Sequence, residues 1–290
     1  MPTDPRPIDH AIIAVHDLDA ARAIFGRLGF TLTPVAYHPF GTANALVQLD
    51  GNYIELLGVV DPARIPVPEP GGFSFAAFNR DYLARREGFS MLAFQSTDAD
   101  ADRADFAANG LHDFPPMTFR RLARDPRGDD REVGFSSAFT SDPRIPEAGF
   151  FTCQHHNPDR FWWPEFQAHA NGARAIDAAV MACRDPADYH IFFTYLTGQH
   201  DMRSDSLMVS FDLGPNRLEL LTPMAAKAMA GVDVAADARP RFVALRIAVA
   251  DLATTAIALR GNGVPFSEGM GRLIVPPEAA CGVALVFLDR

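Results

Sequence analysis

Long apolar runs are missing from this chain. No stretch of about 18 consecutive apolar residues occurs, the length a membrane-crossing helix needs, so no membrane partner is expected. The first residues, Met1 to His10, are polar and carry two Asp and three Pro; they hold no apolar segment of signal-peptide type. Dense Lys/Arg blocks are also missing. With 26 basic and 36 acidic residues the net charge is −10, which argues against nucleic acid and anionic lipid as partners. Cysteine is scarce: Cys153, Cys183 and Cys281 are far apart and odd in number, which gives neither a disulfide framework nor a metal-ligand spacing. A cytoplasmic location is the expectation. No Gly-rich nucleotide loop, serine nucleophile elbow or zinc-protease motif is found, and those enzyme classes are set aside.

What is present is punctuation that repeats. A β-branched apolar stretch, Ile8 to Val15, reads as a strand. Asp17 follows as a helix N-cap, its carboxylate able to accept a free backbone N–H. Leu18, Ala21, Phe25 and Leu28 then recur at helical spacing, and Gly29 closes the helix. The same order returns three times: Phe89–Gln95, Asp98, Gly110; then Ile176–Ala182, Asp185, Gly198; then Phe242–Ala250, Asp251, Gly261. Strand-like material follows each helix, such as Phe30–Tyr37, Thr42–Asp50 and Asn52–Val60 after the first, and Met202–Leu213 after the third. Tyr53-Ile54-Glu55-Leu56-Leu57 nearly matches Arg217-Leu218-Glu219-Leu220-Leu221, which relates the first unit to the third. Four βαβββ modules in two pairs are therefore expected. Asp61–Gly72 would link modules one and two, His155–Gly172 the two halves, and helices are expected near Phe75–Arg86 and within Met224–Pro240. The halves divide as residues 1–157 and 158–290. One module alone leaves an apolar face and a sheet edge exposed, and pairing covers the face and creates a concave pocket.

On these residues, and on Ile8-Asp9-His10, Phe40-Gly41-Thr42-Ala43-Asn44, Phe150-Phe151-Thr152-Cys153-Gln154 and His169-Ala170-Asn171-Gly172-Ala173, the chain resembles the vicinal oxygen chelate superfamily, and within it the larger glyoxalase-like proteins. The superfamily also includes extradiol dioxygenases and bleomycin-resistance proteins. The resemblance implies an α+β fold, four βαβββ modules paired into two domains. It also implies metal ligands on the first and last strands of paired modules. Carried over by the repeat punctuation, those positions are His10, Glu55, Met91 and Gln154 in the first half, and Ala178, Glu219, Ala244 and Val286 in the second. The second set, with one carboxylate, reads as a degenerate copy. The first set implies a divalent ion (Zn, Mn, Fe or Ni) on His10, Glu55 and Gln154, with Glu55 also moving a proton. Met91 departs from the pattern, since a thioether is a soft, weak ligand for a hard ion. Strand alternation puts His156 on the same side as Gln154; a shift of one residue would bring in His155 instead, and the register stays open here. Tyr37, His38, Asn44, Tyr53, Met91 and His156 are the expected pocket residues.

The resemblance implies a metal-assisted lyase or isomerase acting on vicinal oxygens of a small molecule, with a dioxygenase disfavoured by Met91. A metal-free small-molecule binder or resistance-type protein is the rival. A homodimer is compatible with the free sheet edges. Phe161-Trp162-Trp163 suggests an aromatic plug or a lid, and Arg120, Arg121, Arg124, Arg127 and Arg131, mixed with aspartates, suggest a solvated hairpin, one arginine of which could clamp a substrate carboxylate.

Overall fold

The computed structural model describes residues 5–68 and 71–290; residues 1–4 and, within the Asp61–Gly72 linker, residues 69–70 lie outside that description. The first half forms one eight-stranded sheet. Its strands are β1 (Ile8–Val15), β2 (Ala36–Tyr37), β3 (Thr42–Gln48), β4 (Tyr53–Val59), β5 (Gly88–Ser96), β6 (Met117–Arg124), β7 (Asp130–Thr140) and β8 (Gly149–His155), in the spatial order β2-β3-β4-β1-β5-β8-β7-β6. The second half repeats it with β9 (Ala173–Ala182), β10 (Met202–Ser204), β11 (Met208–Asp212), β12 (Arg217–Leu221), β13 (Arg241–Val249), β14 (Ser267–Gly269), β15 (Arg272–Val275) and β16 (Ala284–Asp289), in the order β10-β11-β12-β9-β13-β16-β15-β14. Each sheet is thus two βαβββ modules joined through their first strands, as the repeats imply.

The expected caps form. Asp17 accepts from Ala20 N at the start of α1 (Leu18–Arg27), and Asp98 from the N–H groups of Asp100 and Ala101 at α3 (Ala99–Ala108). Asp251 caps α6 (Leu252–Gly261) through Ala253 and Thr254. Asp185 caps a 3₁₀ turn, Pro186–Tyr189, that leads into α4 (His190–Thr197). Two other helices, α2 (Phe75–Leu83) and α5 (Pro223–Ala230), follow the last strands of the first and third modules, β4 and β12. Some boundaries differ from expectation. Gly261 is the last helical residue of α6, and the left-handed backbone falls on Gly263 (φ 66°). Only Ala36–Tyr37 of the Phe30–Tyr37 stretch is strand.

The main core takes side chains from both sheets and from α1, α3, α4 and α6, including Ile13, Phe25, Phe94, Phe106, Phe150, Ile176, Phe193, Leu245 and Phe287. Phe89 stacks on Phe242 across the halves, with ring centroids 4.1 Å apart. Two symmetry-related hydrogen bonds fix the junction: Ile176 N donates to Asn52 Oδ1 and Ile8 N to Asn216 Oδ1, both at 2.9 Å. On the side away from this shared core, each sheet has its own concave cluster. No helix among the described residues is long and apolar enough to cross a membrane.

Candidate functional site

β1 and β4 lie side by side and parallel, with His10 opposite Tyr53 and Ile12 opposite Glu55. Alternation then sends His10, Tyr53 and Glu55 to the concave face. There a second cluster forms around Ile12, Tyr53, Met91, Phe135, Phe139, Phe151 and Phe161. At its centre His10, His38, Asn44, Glu55, Arg121 and Cys153 line a cavity of ≈ 30 Å³, with Phe40, Phe75 and Phe119 among its walls. That is room for about one or two water molecules, or for an ion and a small group.

Asp9 also belongs to this cluster, although simple alternation would turn it away. The pairing of β1 with β5 slips between Ile8 and His10, and Asp9 is the extra residue of that bulge. Its Oδ1 lies 2.6 Å from His10 Nδ1, and its carboxylate is 3.1 Å from His155 Nε2. Burial pushes the Asp9 carboxyl up, but the His155 charge and the hydrogen bonds from His10 and His155 win and hold it well below the usual carboxylate range. An ionised carboxylate only accepts, so His10 Nδ1 carries the proton. In the neutral ring the lone pair is then on Nε2. That nitrogen lies 3.5 Å from Glu55 Oε2. The His10 ring is further held by stacking on Tyr53, with centroids 4.3 Å apart.

Glu55 is buried, and Asn44 Nδ2 donates to its Oε1 at 2.6 Å. His38 Nε2 lies 3.3 Å from Asn44 Nδ2 and 3.9 Å from Glu55 Oε1, while its Nδ1 lies 2.8 Å from Thr42 Oγ1. Burial, and then the charges of Arg121 and His10, push the His38 imidazole well below its ordinary value. His38 is therefore neutral: its Nε2 lone pair faces the Asn44 amide N–H beside Glu55, which leaves Nδ1–H toward Thr42 Oγ1. Burial, with the Asp9 charge next, raises Tyr53 and Cys153 well above their usual ranges, so both stay protonated.

The sequence-predicted residues divide cleanly. His10, His38, Asn44, Tyr53 and Glu55 meet in one place. Gln154 does not join them: it accepts from Ala99 N and donates to Thr97 O, at the start of α3 on the opposite side of the sheet. His156 shares that side and lies 2.9 Å from Ser136 Oγ. The inward residue is His155, because β8 places it opposite Phe135, so the alternative register is the one the strand adopts. Tyr37 is 67% exposed and outside the pocket. Met91 is buried on the concave face, yet it does not line the cavity; its sulfur accepts from Asn79 Nδ2 at 3.2 Å. Phe161 packs against Tyr53 and His155 and closes one side of the cluster. Arg121, placed by sequence on a solvated hairpin, turns inward with Met117 and Phe119, because β6 alternates and one of its faces covers the cavity.

A divalent cation fits the donor set at the cavity. His10 Nε2 and His38 Nε2 present lone pairs, and Glu55 supplies a carboxylate, the nitrogen–oxygen chemistry such ions take. Two ligands on one tetrahedral zinc, at bond lengths of about 2.0–2.1 Å, sit roughly 3.3 Å apart, close to the 3.5 Å between His10 Nε2 and Glu55 Oε2. Asp9, His10 and Cys153 also bring ligating atoms within 4.8 Å of one another. There, however, Asp9 already meets the imidazoles of His10 and His155, so this carboxylate suits support of His10 better than direct ligation.

In the second half α5 covers part of the equivalent face. Ala244 and Val286 are packed beneath α5 with Ala225, Ala226 and Ala230. Ala178 stands where His10 does, with Arg246 opposite it, and Arg246 Nη2 is 2.9 Å from Glu219 Oε2. Asp177, the counterpart of Asp9, pairs with Arg217 and Arg290. A wide groove of ≈ 1140 Å³ opens beside these residues, but no imidazole lines it, and of its carboxylates Glu219, Asp201, Asp205 and Asp212 the buried one, Glu219, is already paired with Arg246.

No curated protein matches the chain. Among solved structures, a hypothetical protein from Staphylococcus aureus superposes with a TM-score of 0.69 at 13% identity, over 98% of this chain and 99% of that one. A mutant of 4-hydroxymandelate synthase from Streptomyces coelicolor gives 0.59 at 12% identity, over 99% and 93%. A Mn(II)-bound glyoxalase from Novosphingobium aromaticivorans gives 0.59 at 13% identity, over 98% and 83%. At such identities these likenesses concern the fold. The sequence profile of the glyoxalase-like domain family matches residues 8–197. With that match, the paired βαβββ modules and these neighbours, the chain belongs to the glyoxalase-like domain family of the vicinal oxygen chelate superfamily.

Proposed function

We propose that this protein is a small-molecule enzyme whose N-terminal half uses a divalent ion (Zn, Mn, Fe or Ni) in a lyase or isomerase reaction on a substrate with vicinal oxygens. The observation that carries this reading is the placement of His10 Nε2 3.5 Å from Glu55 Oε2 inside a buried cavity, with a neutral His38 beside them. His10, Glu55 and His38 would hold the ion; when bound, it supplies Lewis-acid polarisation of substrate oxygens. The protein's own groups do the rest. Asp9 keeps His10 in one tautomer. Asn44 fixes one oxygen of Glu55 and leaves the other facing the cavity, where a carboxylate can take a proton from a carbon next to a carbonyl and return it to the neighbouring carbon. Phe75, Phe119 and Phe151 exclude water, which strengthens each electrostatic contact in the site. Ring-cleaving dioxygenase chemistry has less support, because the second module offers Met91 at its ligand position and that thioether is engaged with Asn79. The metal-free binder also has less support: a buried carboxylate, Glu55, 3.5 Å from an imidazole nitrogen is a costly lining for a pocket that only holds an apolar ligand.

The test is turnover. Metal-loaded and chelator-treated protein would be screened against hemithioacetals, 2-hydroxycarbonyl compounds and catechols. The expected result is an isomerase or lyase activity that chelator removes, that Glu55→Gln abolishes and that Glu219→Gln spares. An activity equal in wild type and Glu55→Gln contradicts the reading.

A further inference from the structure

Among the described residues, Arg121 is a buried cation without a counterion in contact. It is 7% exposed and lies on β6, between the cavity at His10 and a second small cavity lined by Gln48, Phe161 and Trp163. Its one hydrogen bond among the described residues is from Nη1 to the carbonyl of its neighbour Leu122, at 3.3 Å; Nε is buried with no partner. No carboxylate among the described residues is within salt-bridge distance. Phe135 lies under the guanidinium, 5.7 Å from its centre. A guanidinium carries five N–H donors, and burying them unpaired is costly. The other arginines of this hairpin behave differently: Arg120, Arg124 and Arg131 each meet Glu132, Asp130, or Asp125 and Asp129 near the surface. Arg121 is also close enough to Glu55, Tyr53 and His38 to act on their electrostatics, so its charge is felt in the cavity itself.

We infer that Arg121 receives a carboxylate of the ligand, so that the molecule accepted by this cavity carries a carboxylate beside its chelating oxygens. The planar fork of a guanidinium matches a carboxylate with two parallel hydrogen bonds, and such charge-assisted pairs are the strong ones. A compact planar anion also suits the small volume. The inference rests on the reading of this cavity as the ligand site, but not on the metal, because the arginine is unpaired without one.

The experiment follows the Arg121 Nε–Hε resonance by NMR while the protein is titrated with glycolate, with glycolamide as its uncharged counterpart, and with chloride at matched ionic strength. Each titration is run with chelator and again with added metal. The expected result is a saturable shift of that resonance with glycolate and none with glycolamide or chloride. Arg121→Gln should weaken glycolate binding, followed on neighbouring resonances, by at least about tenfold, a change of ~1.4 kcal/mol. Arg121→Lys, which keeps the charge and loses the fork, should fall between the two. Equal responses to glycolate and glycolamide, no glycolate response in wild type, or unchanged glycolate binding in Arg121→Gln overturns the inference. Glycolate binding at Arg121 with chelator present, in a protein that takes up no metal, would contradict the metal reading and leave this one standing.

Discussion

Asp9 Oδ1 lies 2.6 Å from His10 Nδ1, and the two residues are neighbours in sequence that a strand bulge turns to the same face. The bond decides which nitrogen of His10 faces Glu55. Asp9→Asn can present an amide N–H to that ring and favour the other tautomer. Metal affinity, measured by titration against a competing chelator, should fall about 10–100-fold, the usual cost of losing such a supporting group. Unchanged affinity would mean that Asp9 does not orient His10.

His38 ties stability to pH. Its folded value is pushed well below the ordinary 6.5, while in the unfolded chain it titrates near that value. Below about pH 6.5 the unfolded state binds a proton that the folded state refuses, so stability declines as the pH falls toward the folded value. Urea unfolding from about pH 7 down to about pH 5 should show this decline, and His38→Gln should flatten it. Asp9, whose folded value is depressed, contributes a loss of the same sign only below the ordinary carboxylate range, so the two windows separate.

Glu55 and Glu219 occupy matching places with different neighbours. Glu219 faces Arg246, and both are largely buried. Glu219→Gln should cost stability, roughly 3 kcal/mol as for breaking one side of a buried ion pair, and leave metal content unchanged. Calorimetry beside metal analysis checks both halves of the statement.

At Gly282 the backbone of the second half packs directly on that of the first. Its φ is +81°, and a Cβ there would stand 2.6 Å from the Glu87 carbonyl oxygen. Neither the conformation nor the contact can adjust cheaply, so Gly282→Ala should lower stability by ~1–3 kcal/mol. Gly261→Ala, with nothing near its Cβ and no positive φ, should be neutral or stabilising by comparison.

Much of the fold was legible because its signals are local. Asp17, Asp98, Asp185 and Asp251 cap helical turns through their own nearby N–H groups, and the match of Tyr53–Leu57 with Arg217–Leu221 marks equivalent strands. The site was legible only in part. His10, Asn44 and Glu55 follow strand alternation. Asp9 breaks it through a bulge, which leaves no mark in the spacing of apolar residues. Gln154 and His155 differ by one position, and only pairing with Phe135 on β7 decides between them. Arg121 sits in a run of charged residues whose face is chosen by what β6 packs over, a distant contact that composition does not encode. Arg246 was hidden for the same reason, since nothing near it in sequence announces Glu219 or Ala178 as neighbours.

The account's central claim is that the N-terminal concave cavity holds a divalent ion, and its most direct test is metal content by plasma mass spectrometry after reconstitution with Zn, Mn, Fe or Ni. Wild type, His10→Ala, Glu55→Gln and Glu219→Gln would be compared. The account predicts near-stoichiometric metal in wild type and Glu219→Gln and loss of it in His10→Ala and Glu55→Gln. Absence of metal from wild type after every reconstitution, or equal retention in all four proteins, would contradict it.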